Sequence, residues 1–212
     1  MENQQLPQLY QKPLALNIET HAALTIGPSP NGYRFAATVQ TCLLGLEQNE
    51  NLFVDAAGAW QAAYIPAYIR RYPFITTDEQ EGRFTVCFDE AFDGFNQEGG
   101  APLFAEGQPT QKLQEIQAFL QDYLQQLKQT EQLGATLAAA GLFKQVDLQA
   151  NLPDGRNFNL NGLLIVDEQQ LAQLPDSDIV KLFRSGALAL IHAHLLSLRT
   201  LSSLIELKTA AG

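Results

Sequence analysis

Apolar and polar positions alternate in short blocks through the first half of the chain and recur at helical spacing through much of the second. Up to about Ile26, Pro7 and Pro13 interrupt any long periodicity, so this stretch reads as an extended arm with short strands. Gly27-Pro28-Ser29-Pro30-Asn31-Gly32 concentrates residues of fixed or positive φ and predicts a turn. Two apolar runs follow, Phe35–Val39 and Cys42–Leu44, with no turn residue between them. Asn51–Val54 predicts a short strand and Asp55–Gly58 a turn. Pro66 interrupts the aromatic stretch Trp60–Tyr72 and biases Ile65 away from helix, so a short or broken helix is expected, ended by Pro73. Arg83–Phe88 is β-rich and alternating, placing Phe84, Val86 and Phe88 on one face of a strand. The acidic stretch from Asp78 to Glu98 is expected at the surface.

From Pro109, a favourable first helical residue, Leu113, Ile116, Leu120, Tyr123, Leu124 and Leu127 form one apolar stripe. The opposite face is glutamine (Gln111, Gln114, Gln117, Gln121, Gln125, Gln129), whose periodicity marks a solvated helix surface. Leu133–Ala140 predicts a second helix stopped by Gly141. Leu142–Ala150 and Arg156–Val166 flank Pro153-Asp154-Gly155, a hairpin signal. Asp167 and Asp176 are placed to cap helices. A last helix, Ser185 to Glu206, puts Leu190, Ile191, His194, Leu195, Leu198 and Leu201 on one stripe. Leu188, Leu196, Leu204 and Ile205 make it apolar nearly all round, which predicts a central, buried helix. The fold class is therefore α+β, a mixed α/β chain. Its N-terminal half is a strand-rich mixed sheet, and its C-terminal half is mostly helical with one β-hairpin. All of 1–212 is expected in a single domain.

Charge narrows the partners. Asp and Glu number 23 against 13 Lys and Arg, a formal net charge of -10. That excess repels phosphate backbones and anionic lipid, so neither nucleic acid nor a membrane is expected as a partner. Cys42 and Cys87 have apolar neighbours and no CxxC spacing, reading as free thiols of a reducing compartment. Met1-Glu2-Asn3-Gln4-Gln5 carries no secretory pattern, and Gly186–Leu198 is too short to span a bilayer. The expected location is cytoplasmic.

These landmarks carry a resemblance. Pro13-Leu14-Ala15-Leu16-Asn17 with His21, and Asn51-Leu52-Phe53-Val54-Asp55, open it. Trp60 and Tyr64-Ile65-Pro66-Ala67-Tyr68-Ile69-Arg70-Arg71-Tyr72-Pro73-Phe74 follow, then Pro102-Leu103-Phe104, Gly186-Ala187-Leu188 and His194-Leu195-Leu196-Ser197-Leu198. In these the chain resembles the bacterial SapC family over nearly its whole length. The family name comes from a locus linked to bacterial surface layers, and no catalytic mechanism transfers with it. The resemblance also implies further residues between the strand at Phe35-Ala36 and that at Leu43–Leu46. An interruption of the chain between 37 and 43 is expected, with true deletion as the alternative.

Candidate chemistry is sparse. His192 and His194 are two apart on a predicted helix and point about 200° apart, so they do not share an ion. No metal site and no cofactor is expected. Ser197, Ser202 and Ser203 lack nucleophile-elbow glycines, and no phosphate-binding loop is present. His194 and Ser197 are kept as a polar site that an enzyme reading would use, given a carboxylate on His194. Asp89 and Glu90 read as an acidic loop edge, since adjacent strand residues face opposite ways. One constellation stands out. Trp60, Tyr64, Tyr68, Arg70, Arg71 and Tyr72 bring together residue types that dominate binding hot spots. The alternatives are a packing and ion-pair node, or a surface for a peptide or protein partner. The functional expectation is a non-enzymatic binding or accessory protein. An enzyme or enzyme subunit is the second reading, and a surface-layer role the third.

Overall fold

In the computed structural model the described residues are 13–16, 18–26, 43–47, 50–78, 84–96, 98–152 and 154–210. The interruption expected between 37 and 43 lies outside them, as does Cys42. Helices and small antiparallel sheets make up the fold, which is α+β as the sequence pattern predicts. The sequence reading kept the chain in one domain; its residues gather into two compact units, Met1–Gln125 and Gln126–Gly212.

The first unit contains β1 (Pro13–Ala15), α1 (Ile18–His21), β2 (Thr25–Ile26), α2 (Ala67–Arg70), β3 (Phe74–Asp78) and β4 (Phe84–Asp89). It continues with β5 (Ala101–Pro102), β6 (Phe104–Ala105), β7 (Gln108–Pro109) and the start of α3 (Gln111–Ala139). β4 is the centre of a three-stranded antiparallel sheet in the order β1-β4-β3. Its register with β3 runs from Phe74 opposite Phe88 to Asp78 opposite Phe84. The alternation in β4 does what period 2 requires: Phe84, Val86 and Phe88 pack into one cluster with Phe74, Leu103, Leu113 and Leu120.

Helix α3 starts two residues after the proline expected to open it. Pro109 still pairs with Phe104 across β6–β7, and Thr110 takes the capping role: its Oγ1 accepts from the Leu113 N–H (3.4 Å). The helix then runs unbroken for 29 residues, where two were expected. Gly134 costs it about 1 kcal/mol of helix propensity, which the packing of Leu133 and Leu137 into the second unit's core outweighs. It ends where expected. Gly141 adopts φ 65°, the Leu142 N–H donates to the Leu137 carbonyl and the Gly141 N–H to that of Ala138 (both 3.0 Å), a Schellman end.

The second unit joins the end of α3 to β8 (Phe143–Asn151), β9 (Asn157–Val166), α4 (Glu168–Ala172), α5 (Asp176–Arg184), α6 (Ala187–Leu198) and α7 (Leu201–Ala210). Its core is Leu137, Leu142, Val166, Leu171, Leu182, Ala187 and Ile191. The hairpin forms as predicted, with Asp154 gripping the Arg156 N–H (3.0 Å) and Nε (2.7 Å) in the turn. Asp167 caps α4 through the Gln169 and Gln170 N–H groups. Asp176 is instead the first helical residue of α5, since Pro175 holds the cap position.

The long final helix is corrected by the structure. It is two helices, because the Thr200 N–H and hydroxyl both turn back onto the Ser197 carbonyl (3.0 and 2.7 Å) and close the first helix early. Nor is it the most buried element. Ile191 is buried, Leu195 and Leu198 are half-buried, and Leu190 and Leu196 are 56% and 61% exposed. Only the side of α6 carrying Ala187 and Ile191 enters the core. Taken together, Ala187–Ala210 contains an 18-residue window of mean hydropathy 1.4 and is long and apolar enough, by length and composition alone, to cross a membrane. The sequence reading ended that stretch at Leu198.

Candidate functional site

The aromatic-arginine run owes its shape to its two prolines. Pro66 has extended ψ and starts one turn of helix, its carbonyl accepting from the Ile69 and Arg70 N–H groups (2.9 and 3.0 Å). The Arg71 carbonyl then accepts from the Phe74 N–H (2.7 Å), a tight reversal that passes through the cis Tyr72–Pro73 bond into β3. Residues one apart on a helical turn point about 100° apart. Arg70 and Arg71 therefore enter different surroundings.

Arg71 is buried, 9% exposed. Its guanidinium carbon lies 4.4 Å from the Tyr68 ring centroid and 4.6 Å from that of Tyr123. Burial raises the Tyr123 phenol above its ordinary value; the Arg71 cation opposes this, and Tyr68 adds to it. Tyr72 donates its hydroxyl to Asp89 Oδ2 (3.2 Å), and Asp89 Oδ1 accepts from the Ala91 N–H (3.1 Å). Asp89 is fully buried, which corrects the acidic-edge reading: β4 ends by turning this carboxylate inward.

Arg70 is exposed and lies over two other rings, 5.1 Å from the Phe119 centroid and 5.9 Å from that of Tyr64. Among the described residues no carboxylate pairs with it and its side chain donates no hydrogen bond. Tyr64 is 64% exposed. Its backbone is held from below, since the Trp60 indole Nε1–H donates to the Tyr64 carbonyl (3.1 Å) and the indole stacks on Phe53 (5.5 Å, 16°). Asp55 fixes the preceding turn by accepting from the Ala57 and Ala59 N–H groups.

All six residues singled out in the sequence thus meet in the first unit, in two environments. Tyr68, Arg71 and Tyr72 hold the fold from inside. Tyr64 and Arg70 face solvent, with Trp60 half-buried beneath them. The sequence reading missed Phe119, Tyr123 and Asp89 as members. The apolar spacing puts Tyr123 on the stripe of α3, and Phe119 four residues before it on the same side of the helix is the signal that could have found both.

The His194 ring and the Ser197 hydroxyl are each hydrogen-bonded to backbone groups. Val166 N–H donates to His194 Nε2 (3.2 Å), and the Ser197 hydroxyl donates to the His194 backbone carbonyl (2.7 Å), away from the ring. Among the described residues no carboxylate is hydrogen-bonded to the imidazole. Burial pushes its pKa below the ordinary value, favouring the neutral ring that can accept from Val166. His192, on the same helix, is exposed. No three His, Cys, Asp or Glu side chains gather as a metal site among the described residues. Cys87 is buried in β4.

Compared with known proteins, residues 36–204 match the model of one family, SapC. No curated protein and no solved structure matches the chain.

Proposed function

The chain belongs to the SapC family, and from that premise and the geometry of its aromatic-arginine run we propose that it is a non-enzymatic binding or accessory protein of the bacterial cytoplasm. Its partner is a peptide or protein, received on the surface made by Tyr64 and Arg70. The observation that carries this reading is the division of labour between two adjacent arginines. Arg71 supplies the internal packing that a structural role would need, while Arg70 and Tyr64 keep their side chains exposed to solvent. Exposed Tyr and Arg on a rigid support are the residue types that contribute most when an interface closes over them. The polar pair His194 and Ser197 offers no comparable support for catalysis, because its members are turned to backbone groups.

The test is affinity capture from a native bacterial lysate with the tagged wild type, a Tyr64→Ala/Arg70→Ala variant and an Arg156→Ala control. Arg156 is half-buried and pairs locally with Asp154 in the hairpin turn. A partner should be retained by the wild type and the control and lost from the double variant. Equal retention by all three would remove the surface from consideration.

A further inference from the structure

Resting on that binding reading, we infer that the surface recognises an acidic peptide segment, with an Asp or Glu carboxylate on Arg70 and a neighbouring apolar side chain on Tyr64. Three observations converge. First, the Arg70 guanidinium has all its N–H donors unengaged among the described residues, in a chain with 23 carboxylate side chains and only 13 Lys and Arg. Neither Glu115 nor Asp122, each within one turn of Phe119 on α3, reaches it, and Glu115 is taken by the Gln111 amide (3.0 Å). Second, the guanidinium is not loose. Its carbon lies within cation–π range of the Phe119 and Tyr64 rings, 5.1 and 5.9 Å from their centroids, so less rotamer freedom is lost when a ligand binds. Third, the planar fork matches a carboxylate in bidentate fashion, and such charge-assisted pairs are about twice as strong as neutral ones. The 64% of Tyr64 left in water beside that fork gives an apolar residue adjacent to the acid something to cover.

The protein carries a reporter for this. Trp60 is its one tryptophan, and the indole is bonded to the Tyr64 carbonyl (3.1 Å), so ligand contact at Tyr64 should change its fluorescence. Random displayed heptapeptides are panned on the wild type, Arg70→Met and an Arg156→Met control. The best wild-type sequence is then synthesised with capped ends, alongside its Asn/Gln isostere, and both are titrated against Trp60 emission. The expected result is enrichment of Asp or Glu next to an apolar residue on the wild type and the control, absent on Arg70→Met. The isostere and the Arg70→Met variant should each bind at least about tenfold more weakly, the size expected for a charge-assisted pair. Enriched sequences without acids, no enrichment at all, or an isostere binding within twofold would overturn the inference. Displacement by inorganic phosphate where acetate has no effect would also overturn it, by assigning the arginine to phosphate. The two readings fail separately. Capture that depends on Tyr64 and Arg70, with peptides indifferent to Arg70, sinks the carboxylate and leaves the surface. Capture indifferent to both residues sinks the surface itself.

Discussion

Arg71 shows how a cation is kept inside an acidic fold by rings. Two tyrosine faces at 4.4 and 4.6 Å lie against the guanidinium, and the residue is buried. Arg71→Ala should therefore destabilise the protein by about 2–4 kcal/mol in urea unfolding. Arg70→Ala, on the exposed side, should stay within about 0.5 kcal/mol. Comparable losses for the two would show that Arg70 is structural as well. The sequence shows that two neighbours on one turn point about 100° apart and so meet different surroundings. Which of the two is buried was not legible there, because it depends on where Tyr123 and Phe119 arrive from α3, more than forty residues further along. The same holds for Asp89. Its partner is the Tyr72 hydroxyl, just before β3, a contact that no local pattern announces.

Single elements were readable where their signals were local and misread where packing decided. The hairpin, the Asp167 cap and the Gly141 stop all rest on residues within one turn of the feature. The expected burial of the last helix rested on hydrophobicity, which shows that a helix wants cover without showing which side receives it. Helix α6 is fastened to β9 by one polar contact, the Val166 N–H donating to His194 Nε2. This contact needs the neutral ring, and burial already depresses the pKa. As pH falls, the unfolded chain takes up the proton first, so stability is complete above the ordinary histidine range, declines as pH falls through it, and levels off below the depressed folded value. Thermal unfolding followed from about pH 7.5 to about pH 5.5 should show a falling midpoint. His194→Gln, which keeps an acceptor and loses the titration, should fall less steeply. Identical slopes would remove His194 from the pH response.

At the scale of the whole chain, two clusters of buried side chains serve two compact units, and α3 contributes to each. Leu113 and Leu120 pack in the first and Leu137 in the second. Periodicity foretold both helical stripes, yet it gave no hint that a single helix carried them, because the apolar spacing lapses over the polar residues between Leu127 and Leu133. Leu182→Ala, in the second core, should cost about 2–5 kcal/mol. In native-state hydrogen exchange it should lower protection in β8 and β9 more than in β3 and β4. Uniform loss across all four strands would mean that the chain opens as one cooperative body. The border between Gln125 and Gln126 lies inside α3, and this bears on how such a gene could be divided. In most two-unit chains a loop offers the natural place for fission or for inserting a tag. Here a cut at the border leaves each product a helical stub of four turns or so, near the ~12–15 residues at which isolated helices are marginal in water. Each stub would hold its shape only through its own leucines, so two separately made halves would begin life with a frayed end where the intact chain has its longest continuous element.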